Sequence, residues 1–73
     1  KIAVDGSGSV YICDLRNWRL QVLSSNGAFL YSIDREDGLT TVSGVGVNAD
    51  GSELWTVCTR PAYVQRYVLN PGL

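Results

Sequence analysis

The two halves of the chain repeat one pattern, and this repeat limits the possible folds more than any single motif does. The stretch IAVDGSGSVYICDLRNWRLQVLSSNG aligns with VGVNADGSELWTVCTRPAYVQRYVLNPG, which lies a little over forty residues later. The alignment needs two inserted residues, one after the first turn and one before the final glycine, and its matched pairs include Asp5 and Asn48, Gly8 and Gly51, Tyr11 and Trp55, and Gln21 and Gln65. A chain with this period is expected to build the same structural unit twice.

Each unit consists of short apolar runs separated by turn residues. The runs are IAV, VYIC, RLQVL, AFLYSI, VGV, LWTVC and YVQRYVL, and the turns include DGSG, SSNG, REDG and NADG. Runs of this length between turn signals are typical of β-strands, and none carries a helical stripe. Glycine closes each turn because the backbone there needs a positive φ. Several runs are apolar on both faces, so we expect an all-β protein whose sheets stack face to face.

A period in the low forties with about four strands per unit is typical of a β-propeller blade. We therefore predict a propeller fragment with one full four-stranded blade at residues 1–33 and an inter-blade connection at 34–42. A second, divergent and incomplete blade follows at residues 43–73. Such a fragment needs cover from further blades, supplied by the parent chain or by other copies.

The composition removes several classes of function. The chain has 73 residues, a net charge of −1 and no histidine, which argues against a basic nucleic-acid surface and against the commonest general base. No run is long enough to span a bilayer, and no secretory signal opens the sequence. The two cysteines, Cys13 and Cys58, are expected to be unpaired buried residues. We predict a cytoplasmic protein with no cofactor, no metal and no membrane contact.

The first unit resembles an NHL repeat. That pattern runs from an Ala-Val-Asp strand through a glycine turn to a strand ending in Asp, then Asn-His-Arg, an apolar-Gln-Val strand, a glycine turn and a Phe-Leu strand. The positions that fit are Ala3, Val4, Asp5, Gly8, Val10, Tyr11, Asp14, Asn17, Arg19, Leu20, Gln21, Val22, Gly27, Phe29 and Leu30. Trp18 stands where the histidine is expected. The second unit keeps Val47, Asp50, Gly51, Leu54, Trp55, Val64, Gln65 and Gly72, but has Cys58, Pro61 and Tyr63 in place of Asp, Asn and Arg.

The resemblance implies a propeller, and NHL propellers include binding platforms for protein or, as in tripartite-motif regulators, RNA, together with extracellular modules and a few enzymes. An enzyme of the lyase or lactonase type is the alternative class, with its site in blades outside this chain. Nothing in these residues supplies a catalytic set, because the serines have no histidine to activate them. The acidic stretch DREDG, residues 34–38, lacks the spacing of a calcium loop and is expected to be a solvated turn.

The hairpin DLRNWR carries the candidate site. Asp14 ends one strand and Arg19 opens the next, so the two charges are expected to form a structural pair across the hairpin end. The second unit has neither charge, which agrees with a paired role. The turn residues are expected to lie on one propeller face, where Trp and Arg suit a protein hot spot or the stacking of RNA bases. The predicted binding residues are Arg16, Asn17, Trp18, Arg60 and Tyr63. Protein is the favoured partner and RNA the runner-up, because nearby carboxylates weaken the positive field.

Overall fold

The computed structural model describes residues 1–14, 17–34, 41–59 and 62–69, and the chain forms seven β-strands there. They are β1 (Ile2–Val4), β2 (Val10–Asp14), β3 (Arg19–Leu23), β4 (Phe29–Ile33), β5 (Thr41–Val47), β6 (Glu53–Thr59) and β7 (Tyr63–Val68). The strands pair antiparallel in sequence order, as an N-terminal sheet of four strands (β1–β4) and a C-terminal sheet of three (β5–β7). The predicted all-β class is confirmed. Among the described residues no helix is long and apolar enough to cross a membrane.

Strand β5 begins inside the stretch that the sequence analysis assigns to the connection between the blades. Residues 35–40 are outside the described ranges, and β5 begins at Thr41, within the stretch expected to connect the blades at 34–42. A register shift between Val42 and Gly44 leaves Ser43 as the extra residue of β5, and its hydroxyl donates to the Val57 carbonyl oxygen at 3.2 Å. The β-branched residues at the start of β5 favour an extended chain, so the strand begins earlier than the repeat alone indicates.

The turn glycines have the backbone that the sequence predicts. Positive φ angles occur at Gly8 (89°), Gly27 (90°) and Gly51 (75°), which close DGSG, SSNG and NADG. The fourth predicted position, Gly38 in REDG, lies outside the described residues.

The register of the N-terminal sheet separates its side chains into two faces. One face carries the cross-strand sets Ala3–Tyr11–Val22–Tyr31 and Cys13–Leu20–Ile33. The other carries Ile2–Ile12–Gln21–Ser32 and Val4–Val10–Leu23–Phe29. The first face packs on the C-terminal sheet, because Tyr11, Leu20, Val22 and Ile33 belong to the buried core.

The C-terminal sheet divides in the same way. Its inner face carries Val42–Cys58–Tyr63, Val45–Thr56–Gln65 and Val47–Leu54–Tyr67, and its outer face carries Gly44–Val57–Val64 and Gly46–Trp55–Arg66. The buried core of the described residues joins both inner faces: Tyr11, Leu20, Val22, Ile33, Val42, Leu54 and Cys58. Truncating a fully buried leucine such as Leu20 or Leu54 would cost about 2–5 kcal/mol, so this interface is a major source of stability.

The buried polar group of this core is satisfied. Thr56 is fully buried on the inner face of β6, and its hydroxyl donates to the Gln65 carbonyl oxygen at 3.4 Å. Its oxygen also lies 3.8 Å from the Cys58 sulfur. No buried side-chain nitrogen or oxygen of the described residues lacks a hydrogen-bond partner. The sheet interface therefore carries no desolvation penalty from an orphaned polar side chain.

A backbone hydrogen bond joins the sheets at one end. Gly6, in the β1–β2 turn, donates its amide to the carbonyl oxygen of Ala49, in the β5–β6 turn, at 2.7 Å. The strand β5 also lies against β1 and β2. The first turn of one unit therefore meets the first turn of the other. The β2–β3 and β6–β7 ends of the hairpins lie at the opposite end of the sheets.

Gly6→Ala should weaken this junction. A Cβ at position 6 would lie 2.6 Å from the Ala49 carbonyl oxygen, so the inter-sheet hydrogen bond must stretch or break. We expect a loss of about 1–3 kcal/mol in the free energy of unfolding, measured by urea denaturation. Gly46→Ala is the matched control, since its Cβ would meet no atom within 4 Å. That change should be neutral or slightly stabilising. Equal losses in the two variants would contradict a specific role for the Gly6 contact.

Candidate functional site

The predicted pair at the hairpin end is present. Asp14 and Arg19 are cross-strand partners, and the Arg19 Nε lies 3.1 Å from the Asp14 Oδ2. The same carboxylate oxygen accepts a hydrogen bond from Asn17 Nδ2 at 2.9 Å. The Asn17 hydrogen bond, with further help from Arg19, holds the pKa of Asp14 below its usual value. One carboxylate thus ties together the end of β2, the turn and the start of β3.

The second unit replaces this pair for a physical reason. Cys58 and Tyr63 occupy the matching positions, and they are again cross-strand partners. Cys58 is fully buried and Tyr63 packs against the core, on the face that meets the N-terminal sheet. Charges at these positions would have to be desolvated, which costs several kcal/mol per ion. The paired replacement follows from the burial of this face in the second sheet.

Trp18 has an unusual backbone for its type. It is the one described residue other than glycine with a positive φ, at 50°, and its side chain is exposed, with a relative accessibility of 38%. A bulky residue in the left-handed region costs roughly 1–2 kcal/mol relative to the ordinary helical region. The hydrogen bonds from Asn17 and Arg19 to Asp14 fix the chain on both sides of it. The hairpin therefore holds a large aromatic ring at the sheet end at some cost in stability.

The other predicted binding residues are placed differently. Asn17 is exposed, and its side chain binds Asp14, so it serves the turn itself. Tyr63 is partly buried against the core, where its ring contributes to packing. Arg16 and Arg60 lie outside the described residues. The strand ends next to these turns, Asp14 and Arg19 in one sheet and Cys58 and Tyr63 in the other, lie at the same end of the two sheets.

The structure also has a cleft at the opposite end, which the sequence does not reveal. It has a volume of about 470 Å³ and is lined by the first turn of each unit and by two tyrosines. Its polar lining comprises Asp5, Ser7, Ser9, Tyr11, Tyr31 and Asp50. Serine and aspartate in glycine turns indicate only turn chemistry in the sequence, so no pattern there distinguishes a cleft.

Asp5 is the best-bound carboxylate of this cleft. Its Oδ1 accepts from the amides of Ser7 and Ser9 at 3.0 and 3.1 Å and from the Ser7 hydroxyl at 2.9 Å. Its Oδ2 accepts from the Tyr11 hydroxyl at 2.9 Å. Partial burial raises the pKa of Asp5, but the hydrogen bonds from Ser7, Tyr11 and Ser9 outweigh burial and leave this pKa lowered. Burial, together with the Asp5 carboxylate, strongly raises the pKa of Tyr11.

The turn of the second unit repeats this arrangement with an amide in place of the carboxylate. Asn48 Oδ1 accepts from the Glu53 amide at 2.9 Å, and Asn48 Nδ2 donates to the Ser52 hydroxyl at 2.9 Å. In each turn the amide of the closing glycine donates to the carbonyl oxygen of the first residue of that turn. Gly8 donates to Asp5 and Gly51 donates to Asn48, both at 3.1 Å. The alignment of Asp5 with Asn48 thus corresponds to the same local geometry. Asp5 is a structural residue of the turn rather than a free base.

Cys58 is buried in the core as predicted, whereas Cys13 is only partly buried against it. Cys13 and Cys58 are unpaired, and burial raises the pKa of the Cys13 thiol. A raised pKa keeps that thiol protonated and weakly nucleophilic at neutral pH. Among the described residues no group of three or more Asp, Glu, His or Cys side chains could hold a metal ion. The chemistry of both ends is therefore that of hydrogen bonding and aromatic contact.

No protein-family model, curated protein or solved structure matches this chain significantly.

A double-mutant cycle tests the hairpin pair. Asp14→Ala and Arg19→Ala should each lower the free energy of unfolding, and the double variant should lose less than the sum of the two, because the residues share one interaction. Asp14→Ala combined with Arg66→Ala, which lies in the other sheet, is the control and should be additive. Additivity in both cycles would show that Asp14 and Arg19 contribute independently.

Acid stability tests the Asp5 network. Because the pKa of Asp5 is lowered in the fold, its contribution is complete above the ordinary value of 3.8 and is lost as the pH falls through the folded value. Asp5→Asn keeps an acceptor oxygen, as Asn48 does, but cannot titrate. We expect its unfolding free energy to fall less between pH 6 and pH 2 than that of the wild type, as measured by urea denaturation. Tyr11→Phe removes one donor and should cost about 1 kcal/mol at pH 7. Parallel pH curves for the wild type and Asp5→Asn would contradict the assignment.

Proposed function

We propose that the chain is a non-catalytic interaction module of the NHL β-propeller type, in which each sheet is a blade and the β2–β3 end binds a partner protein. The blade interpretation is supported by the face-to-face packing of two antiparallel sheets in chain order. It is also supported by the matching turns at Asp5 and Asn48, which have the same backbone hydrogen bonds. Radial stacking of such sheets is the architecture of a propeller.

The observation that carries the binding proposal is the conformation of Trp18. A positive φ of 50° at an exposed tryptophan is a strained conformation. Glycine or asparagine would adopt the same backbone at lower cost. Strained residues cluster at functional sites, and tryptophan is the residue type most enriched in binding hot spots. An exposed tryptophan in this conformation therefore supports a binding role for the ring.

The charge near Trp18 favours protein over RNA. At this end of the sheet Arg19 and Asp14 form an ion pair, and the neighbouring strands add one charge of each sign, Lys1 before β1 and Asp34 after β4. The whole chain has a net charge of −1. Binding to RNA draws much of its affinity from cations on phosphates, and the described residues of this end do not concentrate cations. An aromatic anchor with a neutral polar surround is typical of a protein interface.

Site-specific photo-crosslinking would identify the partner. A photoreactive phenylalanine derivative replaces Trp18 in one sample and Asn26 in the other, since Asn26 is exposed in a turn at the opposite end. We expect a protein adduct from position 18 and none from position 26. Capture of RNA at position 18 would favour the runner-up, and equal labelling from both positions would contradict a site at the hairpin.

The identified partner then allows a quantitative test. Trp18→Asn retains a residue that tolerates the left-handed backbone but removes the ring. We expect it to raise Kd by tenfold or more, because truncating a hot-spot tryptophan commonly costs about 2 kcal/mol or more. The free energy of unfolding should stay the same or rise, since backbone strain is relieved. An unchanged Kd would contradict the proposal, and so would a loss of binding that follows a loss of folding.

A further inference from the structure

Each sheet leaves one apolar face open. The open N-terminal face consists of Ile2, Val4, Val10, Ile12, Leu23 and Phe29, and the open C-terminal face consists of Trp55, Val57, Val64 and Val68. Relative accessibilities reach 64% at Ile2, 58% at Val4 and 65% at Val64. Contiguous apolar surfaces of this kind are uncommon on stable monomers and mark interaction sites.

The internal repeat aligns the residues of each open face with residues on the covered face of the other sheet. Val4, Val10 and Ile12 on the open N-terminal face match Val47, Leu54 and Thr56. Those three matching residues lie on the inner face of the C-terminal sheet, which packs on the N-terminal sheet. Each of these three residues therefore has a counterpart in the second unit that lies on the face packed against the N-terminal sheet.

The open C-terminal face shows the same correspondence. Trp55, Val57 and Val64 match Tyr11, Cys13 and Leu20, which face the C-terminal sheet inside the chain. The interface between the two sheets is therefore heterologous, because it joins one type of face to the other type. A heterologous contact leaves both types of face available at the two ends of the stack.

We propose that a second copy of this chain covers these faces, with its open N-terminal face packed on the open C-terminal face of the first copy. The contact between copies uses the same two types of face as the contact between the two sheets of one copy, except at the hairpin end, where the Asp14–Arg19 ion pair stands in place of Cys58 and Tyr63. The inference rests on the blade part of the proposed function and does not depend on partner binding at Trp18. Propellers close with about four to eight blades, so with two sheets per copy the ring would contain about two to four copies.

The chemistry of the open faces fits this contact. Gly44 carries no side chain on the outer face of β5, so it lets a second sheet approach closely beside Val57. The open C-terminal face also carries the ion pair of Arg66 and Glu53. Arg66 belongs to β7, the edge strand of the sheet. A neutral pair at a rim is compatible with an apolar interface centre. The net charge of −1 per copy gives little repulsion between copies.

Two single substitutions test the two open faces one at a time. Val4→Glu places a charge on the open N-terminal face, and Val64→Glu places one on the open C-terminal face. Both side chains are mostly exposed within one copy, so folding of the single copy should tolerate them. Ser25→Glu, in an exposed turn, is the matched control for added charge. Masses are measured by size-exclusion chromatography with light scattering and by native mass spectrometry, with circular dichroism as the check on folding.

We expect the wild type and Ser25→Glu to form a discrete species of about two to four copies. Val4→Glu and Val64→Glu should each be monomeric alone. Their equimolar mixture should give a one-to-one heterodimer, because each partner retains the face that the other needs. Formation of that dimer also shows that both variants fold. If either variant unfolds alone, Val4→Ser and Val64→Ser replace them in the same mixing test.

Three results would overturn the proposal. A monomeric wild type at about 100 µM shows that the faces do not meet, since at that concentration even a contact with a Kd in the micromolar range assembles. Dimerisation of Val64→Glu alone shows pairing of like faces. An assembled wild type whose two variants do not combine shows a contact elsewhere. Trp18→Asn should leave the assembly unchanged, so failure of self-association and failure of partner binding are distinguishable.

Discussion

Burial of one sheet face against another is the constraint on which the rest of this structure depends. The strands are short, and neither sheet has a covering helix among the described residues. Isolated sheets of three or four short strands are marginal in water, so each needs an apolar partner surface. Leu20 and Val22 from one sheet and Leu54 and Val42 from the other supply that surface, and all four are essentially inaccessible to water.

The two turns at the Gly6–Ala49 junction set the distance between the sheets. The Gly6 hydrogen bond joins the turns directly, and a Cβ at Gly51 would lie 2.8 Å from the Asp5 Oδ2. Tyr11 connects the same carboxylate to the core, since its ring is buried and its hydroxyl donates to Asp5. A single network thus links the turn backbone, the sheet interface and the cleft. This explains why small residues are concentrated at this end.

The sequence predicts the local features of this fold well. The strands and the positive φ angles of Gly8, Gly27 and Gly51 follow from alternation of apolar runs and turn residues, and the structure confirms them. The Asp14–Arg19 contact is also confirmed, because the two residues flank a short hairpin and its register is fixed by the turn. These features depend on neighbours in sequence, and such neighbours can be paired without knowing how the sheets pack.

The features that the sequence does not predict depend on which face of a strand is covered. The sequence places Tyr63 on a binding surface because Tyr63 follows an exposed turn. In the structure Tyr63 packs against the core, because its position in β7 faces the other sheet. The cleft has no sequence signal because its wall combines Asp5 and Tyr31 with Asp50 and Leu69 from the second sheet. Both outcomes require the position of the second sheet, which no local pattern supplies.

Whether a sheet face is covered or open also explains how the two units differ in sequence. Asp14 and Arg19 lie at the end of a face that is open in this chain, whereas Cys58 and Tyr63 lie at the matching place on a face that is covered. A carboxylate and a guanidinium at the covered position would lose hydration, while a buried thiol and a packed aromatic ring gain from burial. Within a single copy, the chemical difference between the two units at this position thus follows from which face is covered.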